Sequence, residues 1–253
     1  MKLNFKKTGS GEPLIILHGL FGSADNWFSI AKELEDEFTL YLVDQRNHGD
    51  SPQSEDWNYK VMAEDLKELM EAEDISEAHL LGHSMGGKTA MTFALNYPDK
   101  VKKLIVADIA PRYYPVHHET ILKGLNAVPI DSLKSRKEAD DALSEYINNA
   151  GIKQFLLKNL TRVDGGFKWK VNLPVITDQI ENVGEEVSSE KPFENTTLFM
   201  GGENSDYIQD KDKEDIDRLF PNSHLIYIKN AGHWLHAEQP QAVVDTIKAF
   251  LKR

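Results

Sequence analysis

The sequence predicts an α/β protein built on a mostly parallel sheet, and three observations carry that prediction. Short apolar runs alternate with amphipathic stretches along most of the chain, the order that right-handed crossovers turn into a parallel sheet. The runs are continuous rather than alternating, as in Leu14-Ile15-Ile16-Leu17, Leu40-Tyr41-Leu42-Val43 and Leu104-Ile105-Val106-Ala107, the mark of strands covered on both faces. Residues 113–189 break this alternation with helical patterns, after which it resumes. The expected organisation is a core of residues 1–112 and 190–253, interrupted by a helical cap insertion at 113–189.

Taken in order, Leu3-Asn4-Phe5 alternates like an edge strand, and Gly9-Ser10-Gly11-Glu12-Pro13 is a turn cluster. The run Leu14–Leu17 ends in His18-Gly19-Leu20-Phe21-Gly22-Ser23. Asp25 to Phe38 reads as a helix, with Trp27, Ile30, Ala31 and Leu34 on one stripe. Leu40–Val43 is the next strand, and its polar exit, Asp44 to Pro52, must be a loop. Arg46 and His48 in that loop read as local structural partners. Tyr59 to Asp74 is amphipathic, with Met62, Leu66, Leu69 and Met70 at helical spacing. Ala78–Leu81 is a strand, Gly87–Leu95 a helix stopped before Pro98, and Leu104–Ala107 a strand ending in Asp108-Ile109-Ala110-Pro111.

Within the insertion, helices are expected over Glu119–Asn126, Arg136–Asn148 and Ile152–Asn159, and a hairpin turn or bulge at Asp164–Trp169. The segment holds 9 basic and 11 acidic residues, so most of the net charge of −12 lies outside it. A helical insertion leaving the carboxyl end of a strand lies naturally over a ligand site as a lid. Strands then follow at Thr196–Met200 and Leu225–Ile228, with a helix near Asp212–Phe220 between them and a closing helix, Pro240–Leu251.

One stretch points to chemistry. Leu80-Leu81-Gly82-His83-Ser84-Met85-Gly86-Gly87-Lys88 places Gly-x-Ser-x-Gly between a strand and a helix. The pattern arises by chance in roughly one chain in ten of this length at average glycine and serine usage, so its setting decides. A serine thrown from a strand end straight into a helix sits in a strained turn, and flanking glycines remove the collisions that side chains would make there. The turn also places Ser84 where free helix N-terminal N–H groups stabilise negative charge. His18, Asp44, Ser84 and Asp108 all fall at carboxyl ends of strands, where open α/β sheets collect ligands.

Composition narrows the function classes. At 40% hydrophobic and 28% charged, the chain is ordinary for a soluble globular protein. A net charge of −12 argues against nucleic acid and anionic membrane surfaces as partners. There is no cysteine, hence no thiolate nucleophile or zinc-thiolate site, which fits a cytoplasmic location. No signal-peptide core is evident near Met1, and no apolar run approaches a membrane span.

The residues quoted, His18-Gly19, Gly82-His83-Ser84-Met85-Gly86-Gly87 and Ala231-Gly232-His233, resemble the α/β-hydrolase superfamily along essentially the whole chain. More narrowly, the loops His18–Trp27, Asp44-x-Arg46-Asn47-His48-Gly49-x-Ser51-Pro52 and Asp108–Pro111 look like those of YbfF-type bacterial esterases and the abhydrolase-domain 11 group. The resemblance implies hydrolysis of small-molecule carboxylic esters, including thioesters, of small to medium acyl groups, with no metal or organic cofactor.

It also implies roles. Ser84 is the nucleophile, and the base follows the acid in the chain order Ser, Asp/Glu, His. His233 sits in the loop leaving the carboxyl end of the last strand, whereas His224 precedes that strand and His236 lies beyond. The acid stays open between Asp206, after the Leu198–Met200 strand, and Asp108. The YbfF-type likeness favours Asp108 and implies an assisting role for Ser205. Oxyanion donors are expected from the Met85 N–H and from Leu20, with Phe21 the alternative, although the Leu20 loop alone reads equally well as a tight connection. Phe155, Leu156, Leu160, Phe167 and Trp169 fit either an apolar acyl pocket or the interior of the insertion. Two alternatives accompany the esterase reading: a lyase resembling the SHCHC synthases or a carbon–carbon hydrolase on the same triad, and a ligand receptor without turnover. Arginine is sparse for a lyase that must hold several carboxylates.

Overall fold

The computed structural model describes residues 1–252. The chain runs β1 (Phe5–Thr8), β2 (Glu12–Leu17), a 3-10 turn (Ala24–Trp27) leading into α1 (Phe28–Leu34), β3 (Phe38–Val43), α2 (Tyr59–Ala72), β4 (Ala78–His83), α3 (Met85–Asn96) and β5 (Val101–Ala107). Next come α4 (Glu119–Ala127), α5 (Arg136–Ser144), α6 (Ala150–Leu157), the hairpin β6 (Leu160–Val163) and β7 (Gly166–Trp169), α7 (Leu173–Asp178) and α8 (Glu181–Gly184). The chain finishes with β8 (Thr197–Gly202), α9 (Lys213–Leu219), β9 (Ser223–Ile228), α10 (Leu235–Glu238) and α11 (Pro240–Leu251).

Seven strands form one sheet in the order β1-β3-β2-β4-β5-β8-β9, parallel throughout except for β1. Apolar residues alternate between its two faces. Ile15, Leu17, Val43, Leu80, Val106 and Phe199 pack with α2, α3 and α9, while Leu14, Ile16, Leu42, Leu81, Ile105 and Met200 pack with α1 and α11. Because both faces are covered, the strands need apolar residues at every position, which is why the runs are continuous. Pairing aligns Val43 with Leu17, Leu17 with Gly82 and Gly82 with Val106, and on the far side Ala107 with Met200. All the chemistry-bearing strand exits therefore lie along one edge.

Several boundaries differ from the sequence reading. The first strand begins at Phe5 rather than Leu3, because only Phe5–Thr8 pair with β3. The stretch Asp25–Phe38 is a 3-10 turn plus a seven-residue helix, and Phe38 opens β3, where Glu12 is its partner. The helix from Arg136 stops at Ser144 instead of Asn148. His224 is the second residue of β9 rather than preceding it, though still at the edge away from Ser84. Among the described residues no helix is long and apolar enough to cross a membrane.

The elements between β5 and β8 have an interior of their own, including Leu125, Leu143, Leu156, Leu160, Phe167 and Ile176, which meets the sheet side at Phe21, Tyr59, Met62 and Met85. The two chain crossings into this segment run side by side: Tyr114 N–H donates to Gly184 O at 2.8 Å and Val187 N–H to Pro111 O at 2.7 Å. Lys88 of α3 lies beneath them, fully buried, and its ammonium donates to the carbonyls of Arg112 (2.9 Å), Gly184 (3.2 Å) and Glu185. Removing that donor leaves the Arg112 and Glu185 carbonyls without a partner and Gly184 O with the Tyr114 N–H alone. Lys88→Met should therefore lower unfolding free energy by about 2–4 kcal/mol, read from the midpoint of urea unfolding. A midpoint unchanged from wild type would show that water replaces the ammonium there.

Candidate active site

The site is built on the turn between β4 and α3. Ser84 has φ +52° and ψ −119°, in a region that a side-chain-bearing residue enters only under constraint. Its N–H donates to Ala107 O at 3.0 Å and its carbonyl accepts from Lys88 N–H at 3.1 Å, which holds both sides of the turn. The glycines around it are required by space. A Cβ on Gly82 would stand 2.1 Å from Gly86 O, one on Gly86 2.4 Å from Leu17 O, and one on Gly87 2.5 Å from the Ile109 side chain. Met85 is the first residue of α3, so its N–H has no acceptor within the helix.

The loop after β2 lies against this turn: a Cβ on Gly19 would come 3.3 Å from Ser84 Cβ. Gly22 N–H closes onto Gly19 O at 2.9 Å, so Leu20 and Phe21 are the central residues of a tight turn whose own bond uses neither of their N–H groups. Phe21 has φ +58°, and its carbonyl accepts from the buried Asn159 amide at 2.7 Å. His18 anchors the loop: its Nδ1–H donates to Gly19 O (2.8 Å), and its Nε2 accepts from Gln45 N–H (3.0 Å). Burial lowers its pKa and keeps it in that neutral form.

On the other side of Ser84, Asp108 follows β5 with φ +51° and is fully buried. Its Oδ1 accepts from Gly202 N–H (2.8 Å), while Oδ2 accepts from His233 Nδ1–H (2.8 Å) and from the Ser205 hydroxyl. Asp206 is exposed, and among the described residues no hydrogen bond joins its carboxylate to the imidazole. The His233 ring is stacked on Tyr207, centroids 3.9 Å apart and 19° from parallel. Its backbone carbonyl accepts from His83 Nε2–H at 2.8 Å. With Nδ1–H committed to the carboxylate, Nε2 is the ring atom left for a proton transfer.

Ser84 and His233 line one cavity of about 250 Å³, with Leu20, Phe155, Leu156 and Trp234 among its other walls. Three other histidines of the cavity wall, His83, His118 and His236, are weaker bases. Burial, and then the neighbouring His233 and His236, depress His83; burial also pushes His118 to about 4 and His236 to about 3. His236 is moreover stacked on Trp27 with centroids 4.4 Å apart. Arg46 forms a buried pair with Asp65 (2.6 Å), and His48 bonds Arg46 O while burial holds it near 3; neither lines the cavity. Leu160 and Phe167 belong to the interior of the β5–β8 segment and Trp169 packs against it, so of the five apolar residues named there only Phe155 and Leu156 reach the cavity. Tyr207, Asn159 and His117, which also shape the site, had no local sequence signal. No group of three or more His, Cys, Asp or Glu side chains among the described residues is arranged to hold a metal ion.

Residues 12–144 match the model of the α/β hydrolase fold family. The chain is 40% identical over 246 residues to the sn-1-specific diacylglycerol lipase ABHD11 of Mus musculus, covering 94% of this chain and 80% of that protein. It is 38% identical over 259 residues to esterase YbfF of Escherichia coli K12, covering 99% of both. The solved structure of a marine microorganism esterase is similar over 99% of each chain, with TM-score 0.97 and 48% identity. The chain thus belongs to the α/β hydrolase family.

Proposed function

We propose that the protein is a serine hydrolase of small-molecule carboxylic esters, with Ser84 as nucleophile, His233 as base, Asp108 as the acid that orients it, and residues 113–189 as a cap over the core. The observation that carries this reading is the shared cavity of Ser84 and His233, with His233 Nδ1–H bonded to a buried carboxylate at 2.8 Å. A serine hydroxyl is a weak nucleophile at neutral pH and needs such a base, and the base needs a fixed tautomer.

In the first half-reaction His233 Nε2 takes the Ser84 proton while Ser84 Oγ bonds to the ester carbonyl carbon. The carbonyl oxygen becomes an oxyanion held by the N–H groups of Met85 and Leu20, with Phe21 the alternative to Leu20. Collapse breaks the bond to the alcohol oxygen, which leaves with the proton from His233. Water then gives a proton to His233 as it attacks the acyl-enzyme, and the carboxylic acid departs as Ser84 Oγ recovers that proton. Ser205, by donating to Asp108, holds the carboxylate in the orientation that meets the imidazole. The cavity shared by Ser84 and His233 is lined mostly by aromatic, aliphatic and histidine side chains, with no arginine or lysine, a surface suited to esters rather than to the polyanions a lyase of several carboxylates would bind. The cysteine-free composition fits a cytoplasmic location.

Turnover of p-nitrophenyl esters should disappear in Ser84→Ala. In Asp108→Asn kcat should fall by about 10⁴, the scale of losing the correct tautomer, whereas Asp206→Asn stays within about twofold of wild type, inside the scatter of an ordinary surface substitution. Equal losses in the two aspartate variants, or full turnover by Ser84→Ala, would contradict the assignment. Ser205→Ala should reduce kcat by about tenfold, one hydrogen bond to a charged group, with KM little changed; a loss confined to KM would place Ser205 in substrate binding instead.

A further inference from the structure

Ser84 lines two cavities of very different size. The larger, about 250 Å³, is the one that His233 also lines, and Ile152, Phe155, Leu156 and Trp234 wall it. The smaller, about 30 Å³, is lined by Met85 but not by His233 and is closed by Tyr59, Ile109, Tyr114, Val116 and Val183. We propose that the small cavity is the acyl subsite and the large one the alcohol subsite. The protein is then selective for esters of acetic and propionic acid with bulky apolar alcohols.

This inference rests on the hydrolase reading, since that chemistry fixes which group goes where. The alcohol oxygen must receive its proton from His233 Nε2, so the leaving group lies over the imidazole, in the cavity His233 lines. The oxyanion must sit at the Met85 N–H, at the head of α3. The acyl substituent takes the direction that remains, past Met85 and away from His233, into the small cavity. By the measure in which one water needs about 10–15 Å³, the space there admits about two or three non-hydrogen atoms, hence one or two carbons once the carbonyl carbon takes a place at its mouth.

The walls are not soft. Tyr59 donates its hydroxyl to Val183 O at 2.7 Å, joining α2 to α8 where both line the cavity. Tyr114 accepts from Ala110 N–H at 2.9 Å and donates to Tyr207 O, and both tyrosines are buried. Gly184, next to Val183, is pinned by Lys88 at 3.2 Å. A longer acyl chain would have to break these bonds, and each methylene refused by a fitted pocket is worth about 10–200-fold in kcat/KM.

Two substrate series separate this proposal from the reading beneath it: p-nitrophenyl esters from acetate to decanoate, and acetates of ethanol, butanol, hexanol and 1-naphthol, each with wild type and Ser84→Ala. The expected result is maximal kcat/KM at acetate or propionate, at least a tenfold fall by hexanoate, and values in the acetate series that hold or rise with alcohol size. Val183→Ala, with Val116→Ala as the second variant should the first fold poorly, should move the acyl optimum one or two carbons longer and leave the alcohol trend unchanged. Ser84-dependent turnover that climbs through octanoate in wild type, or an acyl optimum unmoved in both folded variants, would overturn the subsite assignment while leaving the hydrolase intact. Absence of Ser84-dependent turnover on every ester would overturn the hydrolase reading itself.

Discussion

The carboxylate of Asp108 is the group on which the rest of the site depends. It is fully buried, and a buried charge is tolerated only when hydrogen bonds replace the lost water. Three donors meet that demand, and each comes from a different place along the strand exits: Gly202 N–H at the end of β8, the Ser205 hydroxyl three residues on, and His233 Nδ1–H beyond β9. Satisfying one carboxylate therefore ties three loops together and fixes the His233 ring, which lines the same cavity as Ser84. Tyr207 closes the arrangement by stacking on that ring, while its own carbonyl is held by Tyr114.

The opposing constraint is the strained turn at Ser84. A positive φ at a serine persists only where its surroundings leave no alternative. Here the close approach of Gly86 to Gly82 and to the end of β2 supplies that constraint, because neither position has room for a Cβ. Parallel pairing sets the ends of β2, β4, β5 and β8 along one edge, so strain at Ser84, burial at Asp108 and the turn at Leu20 all converge there. The segment between β5 and β8 packs against this edge, with Lys88 and Asn159 linking it to the turn helix and the Leu20 loop.

Much of the frame was legible in the residues because each feature has a local cause. Strands buried on both faces must be apolar throughout, and a turn too tight for side chains must be glycine. What the residues by themselves left open has no local cause. Asp108 and Asp206 both follow strands, and only contacts with the exits of β8 and β9 distinguish them, since Asp108 is buried with donors from Gly202, Ser205 and His233 while Asp206 is exposed. His233 and His236 are three residues apart, and the stacking of His236 on Trp27 comes from a contact more than 200 residues away in sequence. The helix read across Asp25–Phe38 fails for a related reason: Phe38 is drawn into the sheet opposite Glu12, whatever its place in a helical stripe. Tyr207 against His233 and Asn159 against Phe21 are likewise contacts between distant segments.

The most direct measurement of the central claim is covalent labelling by a fluorophosphonate, followed by mass spectrometry of the intact chain and of its peptides. The account predicts one phosphonyl group per chain, located on Ser84, forming at a rate that drops by about 10³-fold or more in a folded His233→Gln variant, the scale of losing the general base. Labelling of any other residue, or an unchanged rate on Ser84 without the imidazole, would contradict it.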